Sequence, residues 1–467
     1  MCGVIGIISK SGNVSSELFL GLQQLQHRGY QAAGMLTIDD KAHIVKGPGL
    51  VSDVFDNISL DNLTGQMGIG HVRYATTIDK KEAQPFFTDM GGMGLAYNGH
   101  IINSKEIRKK LESKGVYFES NGCDAEEMLK LFAHSYLENN KQMVSSLEKI
   151  MDNLVGSYSV VQAIKNKGLL AYKDPFGIKP LCFGEKYLEG ELISYGFSSE
   201  SVALEQIGYK NIQELISGTA IFIEPDLKKN IIYVCPKESR LCEFEFIYFA
   251  RASSTINGIS VDETRYKLGE ELAKVFLQKY PNLEKNDTVV IPVPETSYPV
   301  ALSFAKYTGI DFEMGFEKTR SAGRLFLKAN QKLRESATFS SMVALKRALQ
   351  NKNAIIIDDS IVRGTTSKRI INLAKQGGAK RIYFCSAHPM IKYPCYYGID
   401  TPTKEELIAS NKTEEEISKE IGAPVIYNTL DGLVNAIGLP KDKLCLACIN
   451  GDYPTCTKTC KIKGACK

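Results

Sequence analysis

The stretch Ile355-Ile-Ile-Asp-Asp-Ser-Ile-Val-Arg-Gly-Thr-Thr-Ser367 decides the fold of the C-terminal half of this chain. The apolar run 354–357 predicts a buried central strand. Two adjacent carboxylates, Asp358 and Asp359, follow at the C-terminal edge of that strand, where open α/β sheets bind ligands. Gly364-Thr-Thr-Ser367 then opens a helical pattern. Free N–H groups and hydroxyls at a helix N-terminus would form a phosphate cradle.

The chemistry of this stretch points to a sugar phosphate. Carboxylates above a phosphate cradle suit ribose hydroxyls, or a Mg²⁺ ion that bridges to a diphosphate. The segment therefore predicts a binder of ribose 5-phosphate with an anionic leaving group. The plainer alternative is an ordinary strand with an acidic N-cap turn. A Walker A loop is excluded, because no Lys follows the glycine at the required position.

Composition sets the class of protein. A chain of 467 residues is long enough for two or three domains, and its 43% hydrophobic and 24% charged residues are ordinary for a globular protein. A net charge of +4 is too small to favour nucleic acid. No stretch reaches the ~18–20 apolar residues of a membrane span, and no signal peptide is evident. Together with twelve cysteines, this predicts a cytoplasmic protein that binds neither nucleic acid nor membrane.

The chain divides into two halves of different pattern. Up to about residue 225, short alternating runs separated by turn residues predict an α+β half with antiparallel sheets and helices near 15–25 and 125–137. Beyond it, strands alternate with helices, which predicts an α/β half with a doubly wound parallel sheet. We place the domains at 1–228 and 229–467, the second ending in a cysteine-rich section.

Cys2 is the first candidate nucleophile. Its small side chain and the following Gly3 favour removal of the initiator Met. A free N-terminal cysteine carries a thiol nucleophile and, in its α-amine, a built-in base. The amine has a reference pKa of ~7.7–8, so a useful fraction is neutral near pH 7. A cysteine at position 2 is uninformative by itself.

Four further segments resemble the class II glutamine amidotransferases: His27-Arg-Gly29, Gly70-His-Val-Arg-Tyr-Ala-Thr76, Tyr97-Asn-Gly99 and Gly122-Cys-Asp-Ala-Glu-Glu127. The resemblance implies an N-terminal αββα sandwich of the N-terminal-nucleophile hydrolase type, in which the cysteine releases ammonia from glutamine. Asn98 and Gly99 would form the oxyanion hole. Arg73, Thr76 and Asp124 would bind the glutamine. A histidine such as His71 is more often structural, and we assign it no chemical role.

The opening stretch resembles the phosphoribosyltransferase signature for phosphoribosyl pyrophosphate (PRPP), so the second domain is expected to have that fold. With the glutaminase half, the whole chain is similar to the amidophosphoribosyltransferase family. The resemblance implies that ammonia from glutamine displaces pyrophosphate from PRPP to give 5-phosphoribosylamine, the first step of purine synthesis. The implied PRPP ligands are Asp358, Asp359, Ser360, Arg363, Gly364, Thr365, Thr366 and Ser367. Thr296, Asp358 and Asp359 would hold Mg²⁺. Feedback inhibition by purine nucleotides and a homo-oligomer, tetramer or dimer, are also implied.

Cysteines in the C-terminal half form a second candidate metal site. Cys445 and Cys448 have the spacing of a metal knuckle, but neither a second such pair nor a histidine pair completes a zinc site. Cys242 and Cys395 match further ligand positions in one branch of the family, where four thiolates hold a [4Fe–4S] cluster. Four soft ligands agree with iron–sulfur, and a Cys₄ zinc site stays open. Three more cysteines have no assigned role: Cys456, Cys460 and Cys466.

One segment departs from the family pattern. The loop expected to close over PRPP usually reads Lys-Asn-Arg-Tyr-Val-Gly-Arg-Thr-Phe, and here it is Lys318-Thr-Arg-Ser-Ala-Gly-Arg-Leu-Phe326. Further on, 337–343 lacks cations that the family has. Losing a charge-assisted contact commonly costs ~1.5–3 kcal/mol. Two alternatives therefore stay open: a paralogue that aminates another phosphoribosyl compound, and a non-catalytic sensor of PRPP or nucleotides.

Overall fold

The computed structural model describes residues 1–74, 82–318, 342–401 and 403–455. Several residues of the sequence analysis lie outside these ranges. They are Thr76, nearly all of the predicted PRPP-closing loop, and Cys456, Cys460 and Cys466.

The described ranges contain twenty-four strands. They are β1 (Gly3–Ser9), β2 (Ala32–Ile38), β3 (Ala42–Pro48), β4 (Met67–Arg73), β5 (Phe86–Thr88), β6 (Met93–Ile101), β7 (Gly156–Ile164), β8 (Gly168–Lys173), β9 (Cys182–Leu188), β10 (Glu191–Ser198), β11 (Lys210–Glu214), β12 (Thr219–Ile223), β13 (Lys229–Tyr233), β14 (Leu241–Cys242), β15 (Thr255–Ile256), β16 (Ile259–Ser260), β17 (Thr288–Pro292), β18 (Asp311–Phe312), β19 (Phe316–Lys318), β20 (Met342–Ala344), β21 (Asn353–Asp358), β22 (Arg381–Ser386), β23 (Val425–Tyr427) and β24 (Leu444–Cys445).

The same ranges contain fourteen α-helices. They are α1 (Ser15–Gln24), α2 (Val51–Val54), α3 (Asn57–Asp61), α4 (Ser104–Glu112), α5 (Asp124–Glu138), α6 (Met143–Asn153), α7 (Ser201–Gln206), α8 (Val261–Lys279), α9 (Tyr298–Thr308), α10 (Lys346–Leu349), α11 (Thr365–Gln376), α12 (Glu414–Ile421), α13 (Leu430–Ile437) and α14 (Ala447–Asn450). A π-helix covers Glu245–Phe249, and short 3₁₀ turns cover Gln26–Arg28 and Lys441–Lys443.

Two antiparallel sheets form the N-terminal half. The first has seven strands in the order β11-β9-β10-β1-β4-β2-β3, and the second has six in the order β13-β12-β8-β7-β6-β5. Side chains alternate along β1, because successive residues of a strand face opposite sides. Val4 and Ile8 pack into the core between the sheets, whereas Ile5 and Ile7 pack outward with Leu22 of α1.

Helices cover the outer faces of both sheets. α1 and α7 lie on the seven-stranded sheet, and α4, α5 and α6 lie on the six-stranded sheet. This is the expected αββα sandwich. Strand β13 begins after the predicted boundary at residue 228 and yet pairs with β12. We therefore propose that the domains divide after Tyr233.

A parallel sheet forms the centre of the C-terminal half. Its five strands have the order β18-β17-β21-β22-β23, and all of their pairings are parallel. α8 and α9 cover one face, where Phe276 and Phe304 pack against Ile355. α11 and α12 cover the other face, where Ile370 packs against Ile356. The sheet is doubly wound, as the alternation of strands and helices predicts.

The parallel sheet presents one edge to ligands. β17, β21 and β22 all end there, which brings the residues after Pro292, the Asp358-Asp359 pair and the segment after Ser386 together. Among the described residues, no helix is long and apolar enough to cross a membrane.

Candidate active site

The start of the chain lies against the end of strand β6. The backbone nitrogen of Cys2 donates to Asn98 Oδ1 at 3.1 Å, and Arg28 Nε donates to the Cys2 carbonyl oxygen at 2.9 Å. The sheets of the sandwich bring Cys2 and Asn98 together across 96 residues of sequence. Both polar groups of the Cys2 backbone are therefore held, which fixes the backbone from which its side chain projects.

An unpartnered donor stands beside Cys2. Asn98 Nδ2 is buried and has no hydrogen-bond partner in the part of the chain that the structure describes. Such groups are rare in folded proteins and call for an explanation. The next residue, Gly99, has φ 157°, and a Cβ there would lie 2.0 Å from the Ser157 carbonyl oxygen. The position therefore requires glycine, and the free amide fits an oxyanion.

Two charged side chains are the predicted glutamine ligands. Arg73 ends β4 and forms an ion pair with Glu82 through Nη2, whereas its Nη1 is buried and unpartnered within the described ranges. Asp124 begins α5 and accepts from the Ile101 backbone N–H at 3.2 Å, with His100 Nδ1 3.5 Å away. Burial would raise the pKa of Asp124, but the hydrogen bond and charge of His100 outweigh it and lower that pKa. Within the described ranges, Arg73 thus keeps one guanidinium nitrogen without a hydrogen-bond partner, and Asp124 keeps an ionised carboxylate.

A buried ion network that the sequence analysis missed supports Cys2. Arg28, 1% exposed, donates from Nη1 to Glu200 at 2.7 Å and from Nη2 to Glu245 at 3.0 Å. Burial alone would lower the pKa of Arg28, but the two carboxylates hold it well above its usual value. His27-Arg-Gly29 was already part of the family pattern, so Arg28 was visible in the sequence. Its partners were not, since they are 172 and 217 residues away.

Glu200 also joins the two halves of the chain. Its Oε1 accepts from His27 and Arg28, both at 2.7 Å, and its Oε2 accepts from the Arg251 backbone N–H at 2.9 Å and from Ser254 Oγ at 2.7 Å. Burial would raise its pKa, but His27 and Arg28 hold that pKa well below the usual range. Cys2 is thus tied to the C-terminal half through the buried charges of Arg28 and Glu200.

Paired acids stand at the edge of the parallel sheet, as predicted. Asp358 is buried at the end of β21, and burial and the neighbouring Asp359 charge raise its pKa well above the usual value. Burial also raises the pKa of Asp359, although hydrogen bonds from Thr296 and Ser360 oppose the effect. Thr296 Oγ1 donates to Asp359 Oδ2 at 2.6 Å. The structure brings these residues together as an oxygen-rich set with excess negative charge.

The predicted phosphate cradle begins one turn further on. Gly364 has φ 75° directly before α11, and a Cβ there would lie 2.6 Å from Ile408 Cδ1. The left-handed backbone therefore favours glycine at this position. Thr365 and Thr366 are exposed in the first turn of the helix, and Ser367 is buried. Arg363 is exposed and pairs with Glu406, Nε to Oε2 at 2.7 Å.

The two halves of the chain meet where the segment 396–400 contacts the end of strand β6. A Cβ at Gly398 would lie 3.1 Å from the Gly99 carbonyl oxygen. Ser157 Oγ, beside Gly99, donates to the Tyr397 carbonyl oxygen at 3.0 Å. Residues of the C-terminal half thus lie directly against Gly99, the neighbour of Asn98.

The four predicted cluster cysteines lie in one apolar region. Cys242 pairs with Cys445 in the short parallel ladder of β14 and β24, and Cys395 and Cys448 pack against the same group of side chains. Burial raises the pKa of Cys242 to about 12. Lys179 is fully buried, and its Nζ has no hydrogen-bond partner among the described residues. Burial would lower its pKa, but nearby Cys242, Glu245, Cys395 and Cys445 raise it.

Two further histidines lie in the interior. Burial lowers the pKa of His71 to about 3, so its ring is neutral. His388 contacts Glu243 in a group with Cys448, the one set of three such side chains in the described ranges that could hold a metal ion. Neither His388 nor Glu243 has a role predicted from the sequence.

Known proteins resemble both halves. The glutamine amidotransferase domain family matches residues 71–206. The amidophosphoribosyltransferase of Pseudomonas aeruginosa is 39% identical over 473 residues, covering 97% of this chain and 93% of that protein. The amidophosphoribosyltransferase of Methanocaldococcus jannaschii is 40% identical over 486 residues, covering 99% and 100%.

Solved structures give the same answer. Glutamine PRPP amidotransferase from B. subtilis, complexed with ADP and GMP, superimposes with a TM-score of 0.84 at 33% identity and covers 97% of both chains. A structure described as the allosteric regulatory enzyme of purine biosynthesis gives a TM-score of 0.85 at 33% identity, covering 97% of this chain and 96% of that one. The predicted resemblance is confirmed, and this chain belongs to the amidophosphoribosyltransferase family.

Proposed function

We propose that Cys2 is the glutaminase nucleophile of this amidophosphoribosyltransferase and that the ammonia it releases is used at the Asp358-Asp359 edge. The observation that supports this most directly is the contact between Gly99 and Gly398. It puts a proposed oxyanion residue of the N-terminal half against the C-terminal half. The overall reaction converts PRPP, glutamine and water to 5-phosphoribosylamine, glutamate and pyrophosphate. This is the first step of purine synthesis.

The glutaminase step begins once Met1 is removed. The new α-amine, hydrogen-bonded to Asn98 Oδ1 as the Cys2 nitrogen is now, takes the thiol proton. The sulfur attacks the carboxamide carbon, and Asn98 Nδ2 and the Gly99 N–H hold the oxyanion. The amine returns its proton to the leaving nitrogen, ammonia departs, and water hydrolyses the thioester to glutamate. Arg28 keeps the Cys2 carbonyl in place throughout.

Arg73 and Asp124 orient the substrate. The free Nη1 of Arg73 would bind the α-carboxylate of glutamine, a task for which a guanidinium is suited. Asp124, whose lowered pKa keeps it ionised, would bind the α-ammonium. Thr76, outside the described ranges, is the third proposed glutamine ligand. Glu82 already pairs with Nη2 of Arg73, so the substrate carboxylate would compete with Glu82 for this guanidinium.

The PRPP step needs neutral ammonia, and in bulk water near pH 7 most ammonia is protonated. A short protected path between the half-sites avoids that loss. The nitrogen attacks C1 of the ribose as the bond from C1 to the pyrophosphate oxygen breaks. Asp358, Asp359 and Ser360 would bind the ribose and metal. The N–H groups and hydroxyls of Gly364, Thr365, Thr366 and Ser367 would hold the 5-phosphate, with Arg363 beside them.

The residues at this edge fit Mg²⁺. Burial and the Asp359 charge raise the pKa of Asp358, and the Thr296 hydroxyl lies 2.6 Å from Asp359 Oδ2. These oxygens form the hard ligand set that this ion prefers. The proposed ligands are Thr296, Asp358 and Asp359. When bound, the ion would offset the charge that develops on departing pyrophosphate.

The cysteine region fits a [4Fe–4S] cluster held by Cys242, Cys395, Cys445 and Cys448. A single tetrahedral zinc ion needs sulfur atoms about 3.8 Å apart. No three of these four thiols come within 4.8 Å of one another in the described ranges. The unpartnered Lys179 ammonium supports a polynuclear anion, because a buried cation needs compensating charge. In our proposal the cluster is structural.

Regulation and assembly are proposed from the relatives. The B. subtilis structure carries ADP and GMP, which supports feedback control of this chain by purine nucleotides. We also propose a homo-oligomer, a tetramer or dimer, that acts in the cytoplasm.

Coupled turnover tests the proposal. The anaerobically purified protein should form glutamate from glutamine only when PRPP and Mg²⁺ are present, with one pyrophosphate released for each glutamate. The control is the same assay with PRPP replaced by ribose 5-phosphate, which has no leaving group. Glutaminase activity indifferent to PRPP would contradict the coupling.

A further inference from the structure

Two of the proposed glutamine ligands are already paired with side chains of this chain. Arg73 forms an ion pair with Glu82 through Nη2, and Asp124 Oδ2 lies 3.5 Å from His100 Nδ1. Glu82 has a carboxylate, like the α-carboxylate of glutamine. His100, when protonated, is a cation like the α-ammonium group. An incoming glutamine therefore meets two ligands that each hold a group of the same charge as its own.

Both partners are attached to strand β6 beside the proposed oxyanion residues. His100 directly follows Gly99 in that strand. Glu82 lies two residues before Gln84, whose Oε1 accepts from the Tyr97 backbone N–H at 2.8 Å. The contacts with Arg73 and Asp124 are therefore made from backbone that the strand itself holds in place.

The two ligands lie near a common thiol. Burial is the main cause of the raised pKa of Cys123, and the Asp124 charge adds to it while the Arg73 charge opposes it. Burial would lower the pKa of Arg73, but the groups around it, Cys123, Glu82 and Cys2, outweigh that effect. Arg73 and Asp124 thus both lie close to Cys123, as the two ends of one small ligand require.

We propose that Glu82 and His100 are internal competitors for the glutamine site, which hold Arg73 and Asp124 until the α-carboxylate and α-ammonium of an amino acid displace them. This inference rests on the proposed glutamine ligands. The competitors balance charges that would otherwise be left partly buried and unpaired in the empty site. Glutamine replaces two charge-assisted contacts by two others, so its net gain in binding is small.

The His100 pair makes the binding of glutamine depend on pH. The hydrogen bond to Asp124 raises the pKa of His100 above 6.5, burial opposes it, and the Asp124 charge adds to it. When the α-ammonium takes over Asp124, this pKa falls back and the imidazole loses its proton to solvent, to which 52% of the side chain is exposed. Below pH 6.5 the imidazole stays charged and competes fully. As the pH rises through the raised value the competition is lost, so the affinity for glutamine rises.

Three other titratable groups surround Asp124. Burial raises the pKa of Tyr97 well above 10 and also raises the pKa of Cys123, which moves both further from neutral pH. Burial and the Asp124 charge raise the pKa of Glu127, whose Oε1 lies 3.5 Å from Arg108 Nη1. Comparing proteins with and without the imidazole removes the contribution of Glu127 and that of the chain's α-amine.

Calorimetric titration of the full-length Cys2→Ala protein with glutamine tests the proposal, because binding then occurs without turnover, PRPP or Mg²⁺. Buffers of different ionisation enthalpy count the protons released. We expect up to one proton to leave between about pH 7 and 8, and the affinity to rise about two- to fivefold from pH 6 to 8. Glutaric acid monoamide, which is glutamine without its α-amino group, should release no proton.

Variants in the same protein separate the two competitors. His100→Asn keeps a donor for Asp124 without the charge, so it should abolish the proton release and tighten glutamine binding about two- to fivefold at pH 6.5. It should not change the affinity for the monoamide. Glu82→Gln should tighten the binding of both ligands. His134→Asn is the control and should change nothing, since it removes another histidine–carboxylate pair of α5, with Glu138 at 3.3 Å.

Several results would overturn the proposal. They are proton release that persists in His100→Asn, glutamine affinity that neither replacement improves, and tighter binding of the monoamide in His100→Asn. Should His100→Asn not fold by circular dichroism, equal proton release by glutamine and the monoamide in the Cys2→Ala protein overturns it instead. The titration needs no turnover, so its failure and the failure of the coupled assay are distinguishable.

Discussion

The region around Cys2 and the region around Asp358 balance their charges in opposite ways. At Cys2, the buried Arg28 is matched by Glu200 and Glu245, all within 3.0 Å. At the sheet edge, Asp358 and Asp359 stand together, and the pKa of each is raised. The charges around Cys2 are therefore balanced by the protein itself, whereas those at the sheet edge would be balanced by the proposed Mg²⁺. The network holds the Cys2 backbone in place before PRPP binds, and under the proposed coupling the glutaminase step still waits for PRPP.

Replacement of the nucleophile should give the largest effect. We expect Cys2→Ala to lower glutamine-dependent turnover at least about 10³-fold, because the covalent route is lost. Synthesis from added ammonium salt at pH 8–9 (an alkaline range chosen for free ammonia) should persist, because that reaction needs only the second site. Pyrophosphate release measures both reactions. Equal loss of both would mean that the two regions do not work separately.

Breaking the buried network should give the next largest effect. We expect Glu200→Gln to lower the free energy of unfolding by about 3–5 kcal/mol at pH 7, because Arg28 loses one buried partner. The folded-state pKa of Glu200 lies below the usual 4.5, so its stabilisation is full above that value and is lost as the pH falls through the folded value. The difference between the variant and the natural protein should therefore shrink below about pH 4.

Denaturation at a series of pH values measures this difference. Glu138→Gln is the matched control, because Glu138 pairs with lysines at the surface with 39% of its side chain exposed. That change should cost less than about 1 kcal/mol. If Glu200→Gln lowered the free energy of unfolding by as little, the buried Arg28 network would not stabilise the region around Cys2.

Neutralising one acid of the Asp358-Asp359 pair should change the free energy of unfolding in the opposite direction. The folded-state pKa of Asp358 lies above 3.8, so its favourable contribution is present below that value and is lost as the pH rises through the folded value. We expect Asp358→Asn to stabilise the metal-free protein at pH 7 by about 1–3 kcal/mol and to raise the KM for PRPP. Thermal unfolding with and without Mg²⁺ measures it. Mg²⁺ should raise the Tm of the natural protein but not that of the variant, and an equal rise in both would place the ion elsewhere.

Replacing the glycine that begins the phosphate cradle should have the smallest effect on stability. We expect Gly364→Ala to cost about 1–2 kcal/mol for its left-handed backbone and to weaken PRPP binding as well, because its Cβ would meet Ile408. Gly12→Ala is the control, since it has a similar φ of 77° and nothing within 4 Å of the added carbon. Gly364→Ala should destabilise at least as much as Gly12→Ala, and only Gly364→Ala should raise the KM for PRPP. Equal KM values for PRPP in the two variants would show that the added Cβ at position 364 does not disturb the phosphate cradle.

The two regions also differ in how far the sequence predicts them. Local patterns predict the sheet edge, because strand β21, the acids and the helix that begins after Gly364 follow one another along the chain. The glutamine site needed a family resemblance, since Cys2 and Asn98 meet only across two sheets. The buried partners Glu200, Glu245 and Glu243 escaped prediction altogether. A charged residue in a sequence is normally read as exposed, and only the fold shows which charges are buried in pairs.

The most direct test follows one nitrogen atom between the two regions. Glutamine labelled with ¹⁵N in its amide is supplied with [1-¹³C]PRPP and an excess of unlabelled ammonium, and the product is observed by ¹³C NMR. If the half-sites are joined by a protected path, the C1 signal of 5-phosphoribosylamine will be split by a bonded ¹⁵N in nearly every molecule. A signal that reports nitrogen in proportion to the mixed ammonia pool would contradict the joined half-sites.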